Sequence, residues 1–189
     1  MSKQYKIIGV DLKSELIIGF SILPFIVLGG ILSIYLYHSI LQVEYRIIPF
    51  YIVFGGLLLG MSIGLIFAKL LGKNLRATWY ITLSNENLLV QFKDKEWNFS
   101  LEEVIKFKIY GNPNFKYISF WLNNEKTIKM RIGDSGLTPF STKKDLVSLE
   151  NFLNDVQTFF NSNYIKINKV KKISPTGTIK LTYIKKNTI

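Results

Sequence analysis

The sequence predicts an α+β membrane protein in which a two-helix transmembrane hairpin precedes a small antiparallel β-barrel or sandwich. Two uncharged apolar runs in the first half, and short β-branched and aromatic segments in the second half, lead to this prediction. The composition agrees, because 48% of the 189 residues are apolar and 20% are charged, which suggests one membrane part and one water-exposed part. We divide the chain into a cytoplasmic N-terminal segment (1–15), a hairpin (16–75), a β domain (76–163) and a Lys-rich tail (164–189).

The two apolar runs, Leu16–Val43 and Ile47–Ala68, contain no Asp, Glu, Lys or Arg. A helix rises about 1.5 Å per residue and about 20 apolar residues cross the hydrocarbon layer, so each run is long enough to span a membrane. The short connector between them predicts an antiparallel pair. Cations flank the outer ends of the runs, whereas the connector holds only Arg46. By the positive-inside rule, we expect a multi-pass inner-membrane protein with both termini in the cytoplasm.

Small residues recur at every fourth position of the second apolar run, which places them on one face of a helix. They are Gly56, Gly60, Gly64, Ala68 and Gly72. Such a face lets the backbone of another helix approach closely. The partner is either the first span, which offers Gly29, Gly30 and Ser33, or a second copy of the span at 47–68 in a homo-oligomer.

Six short segments rich in β-branched and aromatic residues follow the hairpin and are separated by turn residues. They cover 78–84, 88–93, 96–100, 104–110, 116–123 and 127–132. Several of them alternate between apolar and polar residues, as Phe107 and Ile109 do with Lys106 and Lys108. This alternation predicts an antiparallel sheet with one wet face.

An apolar stripe at spacings of three and four predicts an amphipathic capping helix over 143–161. The stripe consists of Leu146, Leu149, Leu153, Val156 and Phe160, widened by Phe152 and Phe159. Thr142 is the expected N-cap, and Asp145 three residues later favours the helix start. The stripe needs an apolar surface to cover, which we expect to be the open end or face of the sheet, with a second subunit as the alternative.

The tail carries seven lysines and no acidic residue, and therefore most of the net charge of +11. These are Lys166, Lys169, Lys171, Lys172, Lys180, Lys185 and Lys186. Each Lys near an anionic leaflet contributes about 1 kcal/mol, so we interpret the set as a site for anionic lipid or another anionic ligand, with a merely solubilising tail as the alternative. Nucleic acid is a weaker candidate, because only Tyr164 and Tyr183 could stack on bases there. Segments 164–172 and 178–186 flank the turn signal SPTG, so they form a β-hairpin or remain disordered.

No set of residues points to a reaction or to a bound cofactor. The chain has no cysteine and a single histidine, His38, which is too few for a thiolate site and for most imidazole metal sites. GDSG at 133–136 matches the surroundings of a protease serine, but that chemistry needs an imidazole base, and His38 is expected across the membrane. We therefore expect a non-enzymatic protein with no cofactor and no metal.

Two stretches, YITLSNENLLVQFKDKEWNFSLEEVIKFKIY (80–110) and TPFSTKKDLVSLENFL (138–153), resemble the bacterial PH-like membrane proteins, including the YcxB-like branch. The first is similar to the opening strands of that family, and the second to its closing strand, loop and helix. The resemblance covers roughly residues 76–161. It implies a PH-like barrel capped by its C-terminal helix, with no catalytic residues and a binding or scaffold role toward a protein partner or anionic lipid at the cytoplasmic membrane face.

Two other functions fit the same outline. With the tail hairpin the chain would have eight strands, and two spans plus a small β-barrel resemble the cyclic-nucleotide-gated membrane effectors of anti-phage defence. In that interpretation a small cyclic nucleotide binds the basic barrel, and the small-residue face of the second span supports assembly. A membrane-embedded immunity protein against a bacterial toxin is the other alternative. Both hypotheses depend on architecture alone.

Overall fold

The computed structural model describes residues 2–41, 48–135, 138–139, 141–171 and 178–186. The chain divides into two compact units, one formed by Met1–Leu12 together with Arg76–Ile189 and the other by Lys13–Leu75. The first unit is a β domain and the second is helical. The β domain is therefore assembled from both ends of the chain, whereas the sequence predicted a domain that begins at residue 76.

The helical unit contains α1 (Leu12–Phe20), α2 (Leu23–Leu41) and α3 (Phe50–Leu75). The first apolar run is interrupted at residues 21–22, just before Pro24, whose missing N–H is tolerated only at the beginning of a helix. The Ser21 hydroxyl donates a hydrogen bond of 2.7 Å to the carbonyl of Ile18 at the end of α1. Helices α2 and α3 pack antiparallel, because residues further along α2 approach residues earlier in α3.

Two helical stretches, Leu12–Ile40 and Phe50–Leu75, are long and apolar enough to cross a membrane. Only 11% and 17% of their most apolar windows are buried, so most of their apolar side chains point outward. The outward set includes Phe20, Leu28, Ile31, Ile40, Phe50, Leu59 and Ile66. An apolar exterior of this extent is unusual for a protein surface in water and is typical of an interaction or membrane surface.

The β domain contains ten strands. They are β1 (Ser2–Asp11), β2 (Ala77–Ser84), β3 (Asn87–Phe92), β4 (Lys95–Ser100), β5 (Val104–Asn112), β6 (Phe115–Leu122), β7 (Thr127–Ser135), β8 (Thr138–Pro139), β9 (Tyr164–Lys171) and β10 (Thr178–Lys185). The sheet is antiparallel, in the order β4-β3-β2-β1-β7-β6-β5-β10-β9, and β8 pairs with β7. The six strands predicted between 78 and 132 thus appear as β2 to β7, with ends shifted by a few residues.

Strand β1 lies in the middle of the sheet and was not predicted. Its residues Ser2–Gly9 pair with Ala77–Ser84 of β2, and Val10 and Asp11 pair with Arg131 and Met130 of β7. The whole helical unit is therefore inserted between two neighbouring strands, whose last shared pair is Gly9 with Ala77. The first 12 residues are part of the folded β domain and not a separate N-terminal segment.

The tail forms the hairpin β9–β10, one of the two outcomes that the sequence left open. Strand β10 pairs with β5 from Ile179 opposite Gly111 to Ile184 opposite Lys106, so the hairpin extends the sheet. The tail and the domain 76–163, separated in the sequence analysis, are thus one sheet.

Helix α4 (Lys143–Asn163) covers the apolar side of the sheet and begins after the N-cap Thr142. Its buried stripe comprises Leu146, Leu149, Phe152, Leu153, Val156 and Phe160, and Phe160 stacks on Phe107 of β5 at 4.7 Å between ring centroids. Asp145 accepts hydrogen bonds from the N–H of Thr142 (2.7 Å) and from the N–H of Ile8 (2.9 Å). One buried carboxylate thereby fixes the helix start and attaches it to β1.

Removal of the hydroxyl group should change the free energy of unfolding differently at two buried tyrosines, Tyr164 and Tyr183. The Tyr164 hydroxyl lies 2.9 Å and 2.6 Å from the carbonyl oxygens of Leu101 and Val104, whereas the buried Tyr183 hydroxyl has no hydrogen-bond partner among the described residues. We expect Tyr164→Phe to lower the free energy of unfolding by about 1–3 kcal/mol, because it leaves buried carbonyls unsatisfied. Tyr183→Phe should be neutral or stabilising. Thermal unfolding of the two purified variants in detergent gives the comparison, and an equal loss in both would contradict the assignment.

Candidate functional site

The outer side of β5, β6, β7 and β10 carries a group of cationic and aromatic side chains. Successive strand residues point to opposite sides of a sheet. Phe107, Ile109, Ile118 and Phe120 are buried on the inner side, under α4. The residues between them therefore point outward, and on these four strands they are mostly lysines, arginine and aromatic residues.

Strand register places these outward residues side by side. Lys106 lies opposite Trp121 of β6, and Lys108 lies opposite Ser119. In the next row, Tyr110 lies between Tyr117 of β6 and Lys180 of β10. We call this surface the basic-aromatic face, and it consists of Lys106, Lys108, Tyr110, Phe115, Tyr117, Trp121, Lys129, Arg131 and Lys180.

Cations of this face lie on its aromatic rings. Lys106 Nζ is 5.2 Å from the ring centroid of Trp121, and Lys108 Nζ is 6.0 Å from that of Tyr110. The guanidinium carbon of Arg131 is 5.0 Å from the ring centroid of Tyr117 and 5.8 Å from that of Phe115. Cation–π contacts hold the long side chains flat on the sheet, which keeps their charges close together.

The electrostatics of the face are one-sided, because the outward positions of β5, β6, β7 and β10 include no Asp or Glu among the described residues. Three ion pairs of the described chain lie outside this face: Lys3 with Asp155, Lys95 with Asp11 and Lys116 with Glu150. Partial burial, followed by repulsion from Lys180, Lys106 and Lys129, lowers the pKa of Lys108. An anion bound here would relieve that repulsion.

An apolar margin continues the basic-aromatic face onto the tail hairpin. Ile165 of β9 lies opposite Ile184 of β10, and Ile167 lies opposite Thr182, so both point to the same side as Lys106 and Lys108. Ile165 is 39% exposed and Ile167 is 37% exposed. The outer side of the sheet therefore combines a cationic centre with an apolar border.

The four tail lysines whose side chains the structure describes, Lys166, Lys180, Lys185 and Lys186, have different surroundings. Among the tail lysines whose side chains the structure describes, Lys180 joins the basic-aromatic face, while Lys166 lies on the opposite side of the hairpin, over the ring of Tyr183 at 5.9 Å. Lys185 Nζ donates to the carbonyl of Glu102 (2.7 Å), and Lys186 Nζ donates to that of Ser162 (3.3 Å). The side chains of Lys169 and Lys171 and the whole of Lys172 lie outside the described residues.

The small-residue face of α3 packs against α2 of the same chain. Gly56, Gly60, Gly64, Ala68 and Gly72 are all buried. A methyl group added at Gly56 would meet Gly29 and Ser33, one at Gly60 would meet the backbone of Phe25, and one at Gly64 would lie 2.9 Å from Ile22. Of the two partners that the sequence left open for this face, the described contacts of these three glycines are with the first span.

A second polar cluster joins β1 to α4. Lys3 Nζ is 2.7 Å from Asp155 Oδ1, and the Tyr5 hydroxyl donates to Asp155 Oδ2. Hydrogen bonds from Lys3 and then from Tyr5 lower the pKa of the Asp155 carboxyl, and burial followed by the bond to Asp155 raises the pKa of Tyr5. The cluster borders an open cleft of about 440 Å³. Since its charges already neutralise each other, we interpret it as a tie between strand and helix.

Comparisons with known proteins add no relative, because no protein-family model, no curated protein and no solved structure matches the chain. Among the described residues, no group of three or more His, Asp or Glu side chains could hold a metal ion. The site must therefore be interpreted from its own chemistry, which is a group of cations beside aromatic rings. The sequence signal for the basic-aromatic face was the alternation of cations with apolar residues. Lysines alternate with apolar residues in VIKFKIY, and Lys and Arg do so in TIKMRI.

Proposed function

We propose that this chain is a membrane-anchored binding module that acts without catalysis. Its α2–α3 hairpin spans the inner membrane of a bacterium, and its β domain lies at the cytoplasmic face, where it engages anionic lipid or an acidic protein partner. The observation that carries the proposal is the basic-aromatic face, a cationic surface without acidic residues on a domain that is covalently continuous with two apolar helices. Lysine, arginine, tyrosine and tryptophan are the residues with which proteins hold anionic ligands by charge and contact.

Membrane anchoring is supported by the outward side chains of the helical unit. Leu28, Ile31 and Ile66 are each more than half exposed, and they lie on helices with no formal charge near the middle. Exposure of these apolar side chains to water would be unfavourable, whereas in a bilayer the same side chains contact lipid tails. The cytoplasmic orientation is supported by cations such as Lys69 and Lys73, which follow the second apolar run.

The PH-like assignment is part of the same proposal. An antiparallel sheet followed by one amphipathic helix that covers its apolar side is the layout that the resemblance implies. Strands β9 and β10 extend this layout beyond the closing helix. In such a domain the exposed sheet face and loops are available for binding, since the helix occupies the other side.

Single-cysteine labelling tests the anchoring and the orientation, because the natural chain has no cysteine. We expect Glu44→Cys, in the connector between the apolar runs, to react with a membrane-impermeant maleimide in intact spheroplasts. Asn98→Cys, at an exposed position of β4, should react only after the membrane is opened. Labelling of Asn98→Cys in intact spheroplasts would contradict the orientation, and recovery of the protein in the carbonate-washed supernatant would contradict the anchoring.

A further inference from the structure

We propose that the basic-aromatic face docks flat on the anionic surface of the membrane in which the chain is anchored, with Ile165 and Ile167 entering the headgroup layer. This inference rests on the proposed function, because it needs the anchor. It goes further by naming the surface, the occupant and the way in which the β domain is oriented.

Charge complementarity is the first argument. Lys106, Lys108, Lys129 and Lys180 form no ion pair among the described residues, although three other lysines of the domain do. Repulsion among these four lysines lowers the stability of the folded domain unless charges outside the domain compensate it. An anionic leaflet presents many negative charges in one plane, so it can compensate several of these lysines at once, which a single small anion cannot.

The apolar margin is the second argument, and it favours lipid over nucleic acid. Single-stranded nucleic acid is held by cations and by aromatic rings on which bases stack, and it gains little from aliphatic side chains. Membrane-surface elements combine cations with exposed aliphatic residues and tryptophan, which enter the boundary between headgroups and acyl chains. Ile165, Ile167 and Trp121 supply that second component on the same side of the sheet as the lysines.

Connectivity is the third argument. Arg131 of the face pairs with Val10, and the chain enters α1 at Leu12, only two residues later. Only a few residues of chain therefore separate this corner of the face from the helical unit, which the proposed function places in the bilayer. Tethering raises the effective concentration of the remaining cations at the lipid surface, so weak individual contacts are sufficient.

The test uses the full chain in lipid nanodiscs and two dye-labelled single-cysteine variants. Ser119→Cys lies at the centre of the basic-aromatic face, and Asn154→Cys lies at an exposed position of α4, on the other side of the sheet. In nanodiscs with anionic lipid, brominated phospholipids should quench the Ser119→Cys dye strongly and the Asn154→Cys dye weakly. The difference should disappear in neutral nanodiscs and at 1 M salt, where the screening length falls to about 3 Å.

Charge reversal provides the matched control. Lys108→Glu with Lys180→Glu should reduce the ratio of docked to undocked domain at least about tenfold, because two of the lysines that face the leaflet are inverted. Lys143→Glu with Lys144→Glu changes the net charge equally at exposed positions of α4 and should leave quenching at Ser119→Cys unchanged. Equal losses in both double variants would overturn the proposal, because they would indicate a response to net charge only.

The possible failures are distinguishable. If the chain inserts with the expected labelling pattern but the Ser119→Cys dye is not quenched by lipid, the docking inference is overturned and the anchored module remains. If the dye is instead protected by added oligonucleotide, the face binds nucleic acid and the inference is again overturned. If the protein does not insert at all, the proposed function fails first.

Discussion

Removal of the helical unit is expected to give a folded, water-soluble β domain. Strands β1 and β2 are neighbours in the sheet, and Gly9 lies opposite Ala77, so a flexible linker of about six residues can join Asp11 to Ala77 in place of the helices. The excised protein should remain in the supernatant without detergent, show a β-rich circular dichroism spectrum and unfold cooperatively on heating. The reason is that the β domain is one compact unit with its own buried core.

The companion variant lacks residues 1–11 as well, and we expect it not to fold. Ile7 and Val10 of β1 are fully buried, and the strand fills the position between β2 and β7. Its loss would open the middle of the sheet and leave Asp145 without the N–H of Ile8. Broad, non-cooperative melting of this variant beside a sharp transition of the first is the expected pair of results. A sharp transition in a fragment 76–189 would contradict the central position of β1.

Alanine at Gly60 is expected to weaken the packing of α2 on α3 by about 1–3 kcal/mol, the usual cost of overpacking. The added methyl would overlap the carbonyl oxygen of Phe25 and lie 3.1 Å from Ile26 Cα. Backbone atoms of a packed helix cannot move aside in the way that a flexible side chain can. The helices would therefore have to separate, which also loses the close approach of Gly29 to α3.

Gly55→Ala is the matched control for this substitution. The two glycines lie in the same helix, but a methyl group at Gly55 meets nothing within 4 Å. Since Ala has a higher helix propensity than Gly, this variant should be neutral or slightly more stable. Unfolding of both variants in the same detergent gives the comparison. Equal behaviour would mean that the described α2–α3 interface is not what holds the hairpin together.

Local patterns in the sequence were sufficient for the strands β2 to β7 and for α4. Each of these elements carries its own signal, as the alternation of Lys106, Phe107 and Lys108 shows for β5 and the apolar stripe shows for the helix. Thr142 and Asp145 marked the helix start because capping depends on residues only three apart. The two long apolar helices could also be predicted, since length and absence of charge are properties of a single segment.

Long-range pairing accounts for what could not be predicted. Strand β1 has its partners beyond the helices, and nothing within SKQYKIIGVD shows that Ala77–Ser84 will lie beside it. Lys180 joins the basic-aromatic face only because the register of β10 on β5 places it beside Tyr110. The pairing of β9 with β10 places Lys166 on the other side of the sheet from Lys180, which their closeness in the sequence does not show.

In the proposed membrane arrangement, the insertion of the helices between two adjacent strands makes the fold of the β domain depend on how the chain crosses the bilayer. In the proposed arrangement, β1 is synthesised before β2. The two strands can pair only if Ala77 and the rest of β2 are on the same side of the membrane as β1. That requires an even number of crossings. A chain whose second helix failed to enter the membrane correctly would leave the two strands on opposite sides, and the sheet could not close around its core. In this arrangement, completion of the domain thus requires the correct membrane topology.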